Sequence, residues 1–203
     1  LQQLYGAAKT SKEINMALPL KNQLMLRKAI KQMLLALGEN PDRQGLRGTP
    51  KRVTDMYSDV LDGIYAQQPI VSFFEQENYG SMVMVHHAPF YAFCEHHLAV
   101  FLGHFGIAYV PDRRIVGLSK LVRIFRYGCK RITIQERITN ECSDKLMHLI
   151  KPKGVIVYVN AEHTCMSLRG VKSPGSRTTT MAYRGIFATN PELRQQFLDE
   201  ASK

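Results

Sequence analysis

The chain has 203 residues, 45% hydrophobic and 22% charged, the balance of an ordinary soluble globular protein with a sizeable core. That balance excludes collagen-like, low-complexity and disordered classes, and the longest apolar runs, such as Met33 to Leu37, are too short to span a bilayer. Lys and Arg outnumber Asp and Glu by 27 to 17, a formal charge of +10, which points to a polyanion but does not choose among nucleic acid, anionic lipid and a phosphorylated small molecule.

Residues 1–19 are polar, end at Pro19 and read as a loose arm. They carry no basic-then-apolar leader pattern, so the cytoplasm is the expected location. Leu26, Ile30, Met33, Leu34 and Leu37 fall at helical offsets and predict a first helix from about Lys21 to Leu37, ended by Gly38 and Pro41. Thr49-Pro50 opens a second helix as an N-cap followed by proline. Its face is Val53, Met56, Tyr57, Val60, Leu61 and Ile64. Ser81 to Val85 and Phe101 to Val110 read as strands. Ser119 is expected to cap a short helix running to Cys129. Ile134, Ile138, Cys142, Leu146 and Leu149 mark another helix, stopped near Pro152 and Gly154. Val155 to Val159 and Thr178 to Tyr183 are further strands, and Asn190-Pro191 caps a final helix carrying Leu193, Phe197 and Leu198.

Two strand pairs with two helices between them predict an α+β fold, an antiparallel four-stranded sheet with two helices on one face. A helical pair precedes it. Residues 1–70 are expected to form an arm and helical hairpin, and residues 71–203 the sheet-bearing domain, ending in a helix. A lone sheet of this size with one bare face is marginal, and association between copies would cover it.

The four cysteines are Cys94, Cys129, Cys142 and Cys165. In a chain of this size and expected location they read as metal ligands or buried thiols rather than disulfides. Cys94 and His97 have C-x2-H spacing, which lets a thiolate and an imidazole reach one ion from a single turn. His163-Thr164-Cys165 supplies a second pair just after a strand. Sulfur and nitrogen donors suit Zn²⁺. A structural site would fill all four positions, and a catalytic one would keep three protein ligands. The H-E-x-x-H helix, the deaminase signature and paired C-x-x-C units are all absent.

The motifs Gly48-Thr49-Pro50-Lys51-Arg52-Val53, Phe93-Cys94-Glu95-His96-His97, Gly117-Leu118-Ser119-Lys120-Leu121 with Arg123-Ile124, Ile134-Gln135-Glu136-Arg137-Ile138-Thr139, Glu162-His163-Thr164-Cys165-Met166 and Arg169-Gly170-Val171 resemble the GTP cyclohydrolase I family. They occur in the family's order from about Thr49 to Phe187. The resemblance implies the tunnelling fold. Sheets of neighbouring subunits join into a pentameric barrel, two pentamers stack into a decamer, and active sites lie between subunits. It implies GTP as substrate and 7,8-dihydroneopterin triphosphate as product, the first step of pterin or folate-type biosynthesis. No nucleic acid or membrane partner is expected.

Carried over, Cys94, His97 and Cys165 would hold zinc, which lowers the pKa of its water so that hydroxide adds to C8 of the guanine. His96 and His163 would move protons, as histidine does near neutral pH. Glu136 would accept from guanine N1–H and the 2-amino group, with Gln135 beside the base. Ser119, Lys120, Arg123 and Arg169 would bind the triphosphate, with Arg52 arriving from a neighbouring subunit. The helix opening at Ser119 also favours anions. Ala99-Val100, His86-His87, Gly106, Met181 and Tyr183 depart from the commonest family pattern without removing any of these residues. Two rival readings are a zinc-stabilised nucleic-acid-binding module, suggested by the net charge, and a scaffold that binds GTP or pterin without turning it over.

Overall fold

The computed structural model describes residues 18–75 and 80–201, so most of the expected arm lies outside the described residues. The chain divides into two compact units between Gln67 and Gln68.

In the first unit, α1 (Leu20–Ala36) buries Ile30 and Leu34 against α2 (Thr49–Val60), which buries Thr54. Met33 and Leu37, expected on the buried face, are exposed. The pair is tied by Asn22 Nδ2 donating to the Tyr65 hydroxyl at 2.9 Å and by an Arg27–Asp55 ion pair at 3.9 Å. Thr49 does not cap α2. The helix begins one residue earlier than predicted, after Gly48, and the Thr49 hydroxyl accepts from the Arg52 guanidinium at 2.8 Å. Leu20, Leu24 and Met25 stay exposed along α1.

The second unit runs β1 (Phe73–Glu75), β2 (Val83–Cys94), β3 (Val100–Val110), β4 (Arg114–Val116), α3 (Leu118–Cys129), β5 (Ile132–Thr133), α4 (Gln135–Ile150), β6 (Gly154–His163), α5 (Thr164–Ser167), β7 (Thr178–Gly185), α6 (Ile186–Thr189) and α7 (Pro191–Ala201). The strands β2, β3, β6 and β7 pair antiparallel in that spatial order, as expected of the four-stranded sheet. The short strand β5 adds a fifth, parallel to the end of β2 at Phe93 and Cys94. β1 and β4 form a separate two-stranded ribbon.

β2 is longer than its sequence suggests. A bulge between Val85 and Ala88 holds His86 and His87, the latter at φ 54°. Pro89 follows inside the strand, where β5 does not reach, so no edge hydrogen bond is lost. Ser119 does not cap α3 either. The helix starts at Leu118 after Gly117, and Ser119 occupies its second position. Asn190 does cap α7, its Oδ1 accepting from Leu193 N at 2.9 Å.

The odd-numbered side chains of β3 and β6 point under α3 and α4. They form the main core with Phe90 of β2 and Phe125 of α3, and the Phe105 and Phe125 rings stack at 3.8 Å. The opposite face is not wholly bare. Gly185, at φ 61°, turns the chain out of β7, and a Cβ there would lie 2.2 Å from Lys153 O. The turn brings α6 and α7 across, packing Phe187 and Phe197 on Ala108, Val110 and Ile156. Gly106 permits this docking, since its missing Cβ would sit 3.1 Å from the Phe197 ring. Tyr91, Leu102 and Met181 remain exposed.

Cys129 and Cys142 are buried between α3 and α4. Burial pushes both thiols far above their ordinary value of 9.0, and for Cys129 the neighbouring Cys142 adds to the effect. Their contribution to stability is complete below that value. Above it the unfolded chain releases protons that the folded chain keeps, so stability falls as pH rises, by about 1.4 kcal/mol per pH unit for each thiol. A Cys129→Ala/Cys142→Ala variant is expected to lose stability less steeply than the parent between about pH 9 and about pH 11. Urea midpoints across that range check it.

Candidate metal centre and active site

β2 ends at Cys94, and residues 95–99 loop back into β3. The loop is closed by Cys94 N donating to Ala99 O at 2.8 Å and Leu98 N donating to Cys94 O at 2.9 Å. Leu98 adopts the left-handed conformation, φ 53°, that completes this tight return. On the other side of β3, His163 at the end of β6 pairs with Phe101. The following α5 is pinned by the Thr164 hydroxyl donating to Val100 O at 2.6 Å. Three strand ends therefore converge, and the donor atoms of Cys94, His97 and Cys165 lie within 4.8 Å of one another. Two sulfurs and one imidazole are a soft, compact donor set that fits a divalent transition metal. Cys94 is buried, Cys165 half-buried and His97 exposed, so the group is anchored below and open above. Burial holds the Cys165 thiol above its ordinary value, and the Cys94 thiol beside it adds to this.

The other histidines frame this group. His96 Nδ1 lies 3.6 Å from Cys94 Sγ. His163 stacks flat on Phe101, centroids 4.6 Å apart, and its Nε2 lies 2.8 Å from Gln135 Oε1. Burial holds His163 below its ordinary value, with the Glu136 carboxylate pulling the other way. The Arg169 guanidinium reaches His97 Nε2 at 3.1 Å, which brings an expected phosphate ligand to the metal group.

Gln135 and Glu136 open α4 and point apart. Glu136 is exposed and makes no side-chain hydrogen bond to a described residue. Gln135, expected beside the base, is fully buried, its amide turned to His163 and the sheet. Arg137, part of a quoted motif but given no role by the sequence, ties the metal loop to α4. Its guanidinium pairs in bidentate fashion with Glu95, at 2.5 and 3.3 Å, and holds that carboxyl below the usual range. The i+42 separation carries no sequence signal. Orienting groups around a metal site are typically worth 10–100-fold in affinity. Arg137→Ala is expected to weaken metal binding by about tenfold with little change in fold; competitive chelator titration checks it.

Ser119, Lys120 and Arg123 are not brought to this group within one copy. Their helix begins beside the far end of β3, where Val116 N donates to the Tyr109 hydroxyl at 3.0 Å. Tyr109 and Phe101 stand about 27 Å apart along the strand. Arg52 belongs to the first unit.

Residues 26–202 match the family described as GTP cyclohydrolase I. The chain is 46% identical over 185 residues to GTP cyclohydrolase 1 of Streptococcus agalactiae serotype III (strain NEM316), covering 90% of this chain and 98% of that protein. It is 42% identical over 175 residues to GTP cyclohydrolase 1 of Caldanaerobacter subterraneus subsp. tengcongensis, covering 85% and 93% respectively. The chain belongs to the GTP cyclohydrolase I family. A third GTP cyclohydrolase 1, from Mycobacterium bovis (strain BCG / Pasteur 1173P2), is 43% identical over 174 residues, covering 84% of this chain and 86% of that protein. The metal-capable triad and the paired histidines thus sit in a GTP cyclohydrolase I chain matched over most of its length. Among the described residues no helix is long and apolar enough to cross a membrane.

Proposed function

We propose that the protein is a cytoplasmic, zinc-dependent hydrolase that opens the imidazole ring of GTP. It releases C8 as formate and rearranges the remainder to 7,8-dihydroneopterin triphosphate. The observation that carries this reading is the convergence of Cys94, His97 and Cys165 within 4.8 Å in a chain of this family. Held there by three protein donors, zinc would supply a Lewis acid with an open coordination position, the combination that makes water nucleophilic near neutral pH.

The protein's own groups do the rest. Glu136 accepts from guanine N1–H and the 2-amino group, a donor pair that adenine lacks. His163, which burial holds below the ordinary histidine value, takes and returns protons as the ring opens, and His96 serves beside Cys94. Arg169 meets the triphosphate next to the metal group. Ser119, Lys120, Arg123 and Arg52 complete the phosphate clamp from neighbouring copies. The separation of α3's start from the metal group within one chain supports that arrangement for Ser119, Lys120 and Arg123.

The same separation supports active sites between subunits, and with them the tunnelling-fold decamer of two stacked pentamers. The exposed Tyr91, Leu102 and Met181 on the sheet, and Leu20, Leu24 and Met25 on α1, supply apolar surface for such contacts. Light scattering is expected to return about ten chain masses. A monomer that turns over GTP would overturn the shared-site reading.

Incubation with GTP tests the activity. Formate and an oxidisable pterin, fluorescent after oxidation, are the expected products. Salt-dependent binding to DNA or RNA without turnover would favour the nucleic-acid module. Binding of GTP without formate would favour the inactive scaffold.

A further inference from the structure

We infer that Gln135 is a positioning residue that keeps His163 protonated on Nε2 and leaves Nδ1 as the nitrogen that exchanges protons with the substrate. This rests on the reading of His163 as a proton carrier, and it replaces direct contact between the Gln135 side chain and the base.

The inference follows from a count of donors and acceptors. Gln135 is fully buried at the first position of α4. Its side-chain nitrogen lies 3.2 Å from Val159 O, 3.0 Å from Thr178 O and 3.1 Å from the Thr180 hydroxyl. Two of these partners are backbone carbonyls, which only accept. The alternative amide orientation would press Oε1 against both carbonyls, and the Thr180 hydroxyl could not relieve it, because Thr139 gives its own hydrogen to Gln135 O and takes that of Thr180. The NH2 end is therefore committed to β6 and β7, and Oε1 faces His163 Nε2 at 2.8 Å. An amide oxygen cannot donate, so the hydrogen in that contact belongs to Nε2. In neutral imidazole the other nitrogen then carries the lone pair.

Two further contacts remove the ring's freedom to escape this arrangement. The imidazole lies flat on Phe101, with an interplanar angle of 1°. Thr180, which accepts from the Gln135 amide, also contacts the Thr139 hydroxyl at 2.7 Å, and Thr139 donates to Gln135 O at 2.8 Å. These links tie the head of α4 to β7 and hold the amide from both sides. When Nδ1 takes a proton, Nε2–H stays on Gln135 and the resulting imidazolium keeps its hydrogen bond. When Nδ1 returns the proton, the ring reverts to the same tautomer. The ring thus acts through one nitrogen in both directions without rotating.

Neutron diffraction from perdeuterated crystals of the unmodified zinc-loaded protein at about pH 8, above the ordinary histidine value, reads the tautomer directly. A deuteron on Nε2 between His163 and Gln135, with none on Nδ1, is expected. A deuteron on Nδ1, with or without one on Nε2, overturns the inference. Gln135→Met supplies a second readout. The turnover rate for formate release should fall about 100-fold with KM for GTP within about threefold. A rise in KM with kcat unchanged would return Gln135 to the substrate and also overturn it. The neutron result does not depend on turnover, so it stands apart from failure of the unmodified protein to release formate.

Discussion

Cys165→Ser will lose its metal and its ability to release formate from GTP, with activity down by at least about 10³-fold. Serine is nearly the size of cysteine, but its hydroxyl does not ionise near neutral pH and is a poor ligand for a soft cation. What remains is one thiol and one exposed imidazole, with Arg169 already on His97. The fold should survive. Cys165 is half-buried on the four-residue α5, and the contact that pins α5 is made by the preceding Thr164 through its hydroxyl to Val100 O. Metal content by mass spectrometry, circular dichroism and formate release together check the prediction. Full activity in a metal-stripped Cys165→Ser protein would sink the proposed chemistry.

Glu136→Gln is expected to lower kcat/KM for GTP by about 10²–10³-fold. The carboxylate only accepts, and guanine presents N1–H and its 2-amino group as donors. An amide would turn one N–H toward them and leave a donor pair facing a donor. Glu136 is exposed and sits in the first turn of α4, so the fold loses only a favourable charge at a helix N-terminus, worth about 0.3–1 kcal/mol. The substrate should report the same contact. Inosine triphosphate lacks the 2-amino group, so the preference for GTP over it should shrink in the variant. Steady-state kinetics with both nucleotides check this, and an unchanged ratio would move the base reader elsewhere.

The sequence was most informative where local pattern and local chemistry coincide. The helical offsets from Ile134 to Leu149 yield α4, and β-branched Val155 to Val159 lies within β6. C-x2-H spacing marked Cys94 and His97, which the fold joins to Cys165. β2 was underestimated because His86, His87 and Pro89 break its alternation. The structure absorbs them in a bulge and on an uncovered edge. Thr49 and Ser119 do not cap their helices because the cap positions fall on Gly48 and Gly117, which places both hydroxyls inside the first turn. The strand β5, α5 and α6 are too short to carry a period. The shielding of the second sheet face depends on Gly106 and Phe197, far apart in the chain, as Glu95 and Arg137 are. No local pattern announces such pairings. Gln135 shows the same limit most clearly, since a polar residue beside Glu136 looks like a substrate contact until its partners on β6 and β7 are seen.

The distance along β3 between the start of α3 and the metal group has a genetic corollary. If each reaction chamber borrows its anion clamp from one polypeptide and its cation cage from the next, a lesion in either half spoils a different chamber wall. Two disabled alleles, one damaged at Cys165 and one at Arg123, would then complement when co-expressed. Some mixed assemblies would place an intact clamp opposite an intact cage.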